Sequence, residues 1–196
     1  MDIAEIKAIL QDSDSQKRLK GIVALKEYEA DVASPLLLSK QNDPEFLVRS
    51  FVAMGLGRKR SDDGFDTLLT MLDTDPDANV RAEASNSLAM YGDTAIPHLV
   101  HAFQINTNWL IRRSILAAMI DLHSPAHMLE ICLIALKDAD LTVINAGIDH
   151  LTTLVGTDQS EAALEAILPF KTAESWYTRM HVAYGLTRFD TPTKRR

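Results

Sequence analysis

An arginine-centred motif that returns every 31 to 34 residues constrains this chain more than anything else in it. Segments 46–57, 78–92 and 109–119 align on an apolar residue followed by arginine, at Arg49, Arg81 and Arg112. The same register reaches back to Arg18 and forward to Asn145 and Arg179, so six units tile nearly all of the sequence. A period of this length marks a stacked array, because each unit is one supersecondary element that cannot bury its apolar face alone.

Other columns keep the same register. Leu25, Leu56, Leu88, Met119 and Leu186 stand seven residues after the register position, and Asp12, Asp43, Asp75 and Asn106 stand six before it. A short side-chain oxygen just ahead of a helix can accept from orphan backbone N–H groups, so Asp43, Asp75 and Asn106 are expected to cap the helices that carry Arg49, Arg81 and Arg112. Pro44 and Pro76 are expected in the first helical turn, where a missing N–H costs nothing. A shorter amphipathic run precedes each of these helices, as in 65–73, 96–104 and 128–138, giving two helices per unit. The expected fold is all-α, an α-solenoid of about six stacked helix pairs over residues 1–189, with 190–196 as a short basic tail. Low aromatic content of 6% and the dominance of Ala and Leu favour helix over strand. The recurrent Arg49, Arg81, Arg112 and Arg179 are read as structural, bridging to carboxylates or carbonyls of neighbouring turns. The fifth unit departs from the pattern at Asn145, and Gly147 inside its helix is expected to weaken it by about 1 kcal/mol relative to Ala.

Charge and composition narrow the function. The net charge is −7, with ten Lys/Arg against nine Asp/Glu in residues 1–61, four against sixteen in 62–165, and six against two in 166–196. An acidic middle of this kind repels nucleic acid and favours a basic patch on a partner. The longest apolar stretches, 114–122 and 128–136, are far short of the roughly 20 residues that span a bilayer. The acidic, amphipathic start of the chain reads as a first helix rather than a secretion signal, and the single Cys132 fits a reducing compartment, so a cytoplasmic location is expected.

The pattern of Asp-Pro, a short spacer, Val-Arg and an Ala-rich helix ending near Leu-Gly, best carried by residues 43–57 and 75–92, resembles the HEAT-like repeats of the phycobilin-lyase superfamily. Within it, residues 46–60, 108–119 and 140–151 look like small cyanobacterial HEAT-repeat proteins. The resemblance implies a photosynthesis-linked protein, with the phycobilisome as its setting, that acts by holding another: an adaptor or chaperone-like scaffold for phycobiliproteins or for assembly factors. Two alternatives come with it. One is a bilin lyase or bilin-detaching subunit working with a second HEAT protein; the other is a partner of an A-type iron–sulfur scaffold protein.

No nucleotide-binding, zinc-hydrolase or nucleophile-elbow signature occurs in the sequence. His98 and His101 are three apart, and His123 and His127 are four apart with Glu130 beyond. Ser124-Pro125 is expected to place His123 outside the helix that holds His127, which removes the fixed spacing a metal site needs. Cys132 sits in an apolar run where a thiol packs as a small hydrophobe; bilin or iron–sulfur handling would need it exposed. Neither a cofactor, a metal nor a catalytic residue is expected.

The second helix of each pair is the expected binding surface. Positions two before, one or two after and five after the register residue share one face by the 3.6 period. That face gathers Leu47, Phe51 and Met54 in the second unit, Leu110 and Arg113 in the fourth, His150 in the fifth, and Tyr177, Met180, His181 and Tyr184 in the sixth; Trp109 and Trp176 stand at helix starts. Aromatic, Met and Arg side chains are those that binding hot spots enrich. The sixth unit lacks the polar face of a capping repeat, so its aromatic cluster is expected to be exposed and to receive a partner or a second copy of the chain.

Overall fold

A computed structural model describes residues 1–190 of the chain. Among these residues there are twelve α-helices and no strand: α1 (Ile3–Ile9), α2 (Ser15–Ala24), α3 (Ala30–Leu38), α4 (Phe46–Lys59), α5 (Asp62–Thr74), α6 (Ala78–Ala89), α7 (Ile96–Ile105), α8 (Trp109–Ile120), α9 (Pro125–Ala135), α10 (Leu141–Leu151), α11 (Ser160–Ile167) and α12 (Trp176–Asp190). The even-numbered helices are the ones that carry the arginine register. Residues 191–196, most of the expected tail, lie outside the described residues.

The helices form two compact units, Met1–Ala102 and the residues from Phe103 onward, with the division inside α7. In the first unit α2 packs on α4 and α4 on α6, with α3 and α5 behind them. Each helix buries one stripe, for example Leu68, Met71 and Leu72 of α5 or Val48, Val52 and Leu56 of α4. One close approach is at Gly57, where a Cβ would fall 2.7 Å from Ser87 Cβ and 2.9 Å from its Cα, so only glycine lets α4 meet α6 there. In the second unit α8 packs on α10 and α10 on α12, with α9 and α11 behind. The expectation that Gly147 weakens α10 is corrected by the packing around it. A Cβ at that position would stand 2.9 Å from Ala135 Cβ, so the glycine is what allows α10 to lie close against α9.

Three register arginines, Arg18, Arg49 and Arg112, tie one pair to the next. Arg18 Nε and Nη2 donate to the two carboxylate oxygens of Asp43, both at 2.7 Å, while Nη1 donates to the carbonyls of Asp12 and Ser13 at 3.0 and 2.9 Å. Arg49 repeats this with Asp75 at 2.7 and 2.9 Å and with the Asp43 and Pro44 carbonyls at 2.8 and 3.4 Å. Arg112 donates to the Asn106 carbonyl at 2.6 Å and pairs with Asp138, its guanidinium 5.3 Å from the centre of the Phe103 ring. Arg81 Nε donates to the Leu72 carbonyl at 2.7 Å. Arg179 Nη1 donates to the carbonyls of Ala173 and Glu174, at 2.7 and 2.8 Å. A planar fork of donors suits this double task, closing the loop before its own helix and gripping the acid of the next unit.

That geometry corrects the expected caps. Asp43 and Asp75 precede the N-cap by two residues. Their Oδ1 atoms accept from the backbone N–H of Glu45 and Asp77, at 3.0 and 2.9 Å, while the rest of the carboxylate faces the arginine of the preceding unit. Pro44 and Pro76 likewise stand ahead of the N-caps rather than in the first turn. Ahead of α2, α6, α8 and α10 the side chains that do cap are Asp14, Asp77, Asn108 and Asp140. Asn106, expected to cap α8, is buried two residues before the true cap. Asn108 Oδ1 accepts from the N–H groups of Leu110 and Ile111 at 2.9 and 3.4 Å, so Asn108→Ala is expected to cost about 1 kcal/mol. Thermal melts check this, and no measurable loss would mean that water replaces the cap.

Candidate protein-binding faces on the second helices

In the first unit the expected residues lie on α4. Leu47, Phe51 and Met54 are all half-buried, and Phe51 and Met54 line a groove of about 270 Å³ that Leu47 does not reach. The remaining lining comes from Ile22 and Val23 of α2, Leu25 and Lys26 of the 3-10 turn Leu25–Glu27, Leu37 of α3, and Gly55, Arg58 and Lys59 of α4. Sequence reasoning passed over Val23, Lys26 and Arg58. The Arg58-Lys59-Arg60 string was the signal available for the last of these.

In the second unit Trp109 is exposed at the start of α8, where Asn108 caps the helix, and Arg113 is exposed one turn on. Arg113 faces α10. Its charge helps, behind the hydrogen bonds from Thr142, to hold the Asp140 carboxyl below its ordinary range. His150 of α10 is half-buried, and burial lowers its pKa; Asp149 opposes that shift and Arg113 adds to it.

The residues of α12 form a chain of contacts. The Trp176 and Tyr177 rings meet edge-on at 5.6 Å between centroids, and Tyr177 meets His181 edge-on at 4.6 Å. His181 Nδ1 is 2.7 Å from Asp149 Oδ1, which links α12 to α10. Asp149 was not among the expected residues, and its signal was only proximity in sequence to His150. His181 itself is half-buried, whereas Trp176, Tyr177, Met180 and Tyr184 expose 67, 47, 46 and 69% of their surface. Val182 and Gly185 are buried on the opposite side of α12, and a Cβ at Gly185 would lie 2.8 Å from Thr152 Cγ2.

The chemistry elsewhere is sparse. Cys132 is fully buried in α9 and burial drives its thiol pKa well up, so that sulfur is closed to a bilin or a cluster in this conformation. His123 stands outside α9 with φ at 48° and its Nδ1 2.7 Å from the Asp121 carbonyl, while His127 Nδ1 lies 2.8 Å from Ser124 Oγ. The His98 ring packs edge-on against Phe65 at 5.7 Å, and Glu130 accepts from Gln104 at 2.8 Å. Among the described residues no three or more His, Cys, Asp or Glu side chains are placed to hold a metal, and no helix is long and apolar enough to cross a membrane.

Comparison with known proteins places this architecture. No curated protein matches the chain by sequence. An Escherichia coli protein, YibA, superposes with a TM-score of 0.70 at 22% identity over 95% of this chain and 70% of its own. A designed armadillo repeat protein, solved with a peptide written (KR)4, gives 0.55 at 13% identity over 96 and 100% of the two chains. A complex of phycocyanin lyase subunits from Nostoc sp. gives 0.48 at 18% identity over 97 and 94%. The likeness to the first two shows the fold, an all-helical repeat solenoid. Residues 34–120, which hold the Arg49–Asp75 link and the Gly57 contact, match the family model for HEAT repeats.

Proposed function

We propose that the chain is a non-catalytic protein-binding module whose partner docks on the second-helix face of the unit that begins at Phe103. The observation that carries this reading is the exposure of four large side chains, Trp176, Tyr177, Met180 and Tyr184, along one helix. Apolar and aromatic side chains grouped on a water-facing helix mark interaction sites, and Trp and Tyr supply contact area at low entropic cost. Tyr177 is already held by its edge contacts with Trp176 and His181, and His181 by Asp149, which reduces what binding must order. Trp109, Arg113 and His150 extend the face over α8 and α10. A second copy of the chain is a further occupant of the same face.

The resemblance of residues 46–60, 108–119 and 140–151 to cyanobacterial HEAT-repeat proteins makes a phycobiliprotein the first partner to test, followed by an A-type iron–sulfur scaffold protein, both in a cytoplasmic setting. The decisive variant is Tyr177→Ala with Tyr184→Ala. Affinity for the partner recovered by capture from a native lysate, or for a second copy, is expected to fall at least about tenfold with the melting temperature nearly unchanged. A large fall in melting temperature with binding per folded molecule intact would show instead that the tyrosines serve the fold.

A further inference from the structure

The groove of about 270 Å³ between α2 and α4 has an apolar floor and a basic rim. Ile22, Leu25 and Leu37 are buried beneath it, Phe51 and Met54 are half-buried in its wall, and Val23 is exposed at its lip. The cations come from Lys26, Arg58 and Lys59. Lys59 Nζ donates to the carbonyls of Lys26, at 3.0 Å, and of Tyr28, which fixes the 3-10 turn against the end of α4 without a carboxylate. Lys26 Nζ lies 3.3 Å from Glu27 Oε1, both exposed. Arg58 is exposed, and its charge reaches Glu83 of α6. Burial pushes that carboxyl's pKa up, and the Ser87 hydroxyl and Arg58 pull it back.

A volume of this size falls below the roughly 300–1,000 Å³ of cofactor and small-molecule pockets and suits one or two large side chains. We infer that the groove takes the apolar anchor of an acidic linear segment of a partner protein, the segment's carboxylates meeting Arg58 and Lys26 at the rim. The inference rests on the reading of the chain as a protein-binding module and names a partner chemistry for its first unit. Arginine presents a fork that matches a carboxylate, and a wall already fixed by the Lys59 contacts loses little freedom on binding. An apolar floor beneath three cations sorts its ligands twice, since a purely acidic chain leaves the floor wet and a purely apolar one leaves the rim unpaired.

The test is fluorescence anisotropy on the full chain with short fluorescein-labelled peptides. One alternates glutamate with leucine and phenylalanine; one control carries lysine for glutamate, and the other serine for the apolar residues. The acidic apolar peptide is expected to bind at least about tenfold more tightly than either control and to weaken with added salt. Arg58→Glu and Val23→Glu, both at exposed positions, are each expected to lower that affinity about tenfold with an unchanged melting curve. Equal affinity for the controls, or undiminished binding in both variants, overturns the inference. Self-association that Arg58→Glu abolishes, without peptide binding, also overturns it and assigns the groove to a second copy. Tyr177→Ala with Tyr184→Ala should leave peptide binding intact, so failure here and failure of the α12 face are read separately.

Discussion

Asp43→Ala is expected to destabilise the protein by about 3 kcal/mol, roughly three times the loss of a helix cap. The Arg18 and Asp43 side chains are only 9 and 2% exposed, and removing the carboxylate leaves the guanidinium with no partner but the carbonyls of Asp12 and Ser13. An uncompensated buried charge costs more than the pair was worth. The substitution also strips the acceptor from the Glu45 N–H at the start of α4, where Glu45 itself makes no side-chain cap. Asp43→Asn keeps that acceptor and loses the charge, so an intermediate loss is expected. Burial alone would raise the Asp43 pKa, but Arg18 and the Glu45 N–H outweigh it and hold the carboxyl below its ordinary value. A depressed folded-state pKa contributes stability that is complete above the unfolded carboxyl pKa of about 3.9 and is lost as pH falls through the folded value. The acid limb of the stability curve should therefore flatten in the variant. Urea unfolding at neutral and acidic pH measures both effects. A loss below about 1 kcal/mol at neutral pH would show that water screens the pair as it does on an open surface.

The helix count, the pairing and the arginine register were legible in the sequence because they follow from periodicity, which is local. The caps were misplaced by two residues for a physical reason. The loops before α2, α6, α8 and α10 each carry two short polar residues, such as Asp75 and Asp77, and both can accept from a helix start. Which of them caps is decided by an arginine 26 residues earlier, whose fork claims the first carboxylate. Gly147 was read as a weak point for a similar reason: the cost of glycine in an isolated helix is local, whereas its benefit here depends on Ala135 of another helix. The binding faces show the same divide. Helical period assigns Leu47, Phe51, Met54, His150 and His181 to the expected binding face, yet all five are half-buried, while Trp109, Tyr177, Met180 and Tyr184 are open to water. Cover comes from neighbouring helices and turns, as the floor of the groove shows, where Leu37 of α3 and Leu25 of the 3-10 turn do the shielding.

The fifth unit offers the sharpest test of the arginine links, because both halves of one link are missing together. Six residues before Arg49 and Arg81 stand the acids that receive the preceding arginine; six before Arg179 stands Ala173. The residue that would have reached it, at the register position of the fifth unit, is Asn145. Asn145 is buried, and its Oδ1 has no hydrogen-bond partner among the described residues. The α10–α12 connection is made instead by Asp149 and His181. Asn145→Arg alone should cost about 3 kcal/mol: it places a guanidinium where the receiving position of the next loop is Ala173 rather than an acid, and where the Ala173 and Glu174 carbonyls already serve Arg179. Ala173→Asp alone lies at a half-buried loop position. There its carboxylate can accept from the Ser175 N–H as Asp43 accepts from Glu45, so its cost should stay under about 1 kcal/mol. The double variant rebuilds the bidentate pair, and a coupling energy of about 2 kcal/mol in its favour is expected from a double-mutant cycle in urea. Strict additivity would mean that the α10–α12 spacing differs from that of α2–α4 and α4–α6, so that an arginine there cannot reach its acid. In that case the absence of the pair would be a property of the backbone and not of two exchanged side chains.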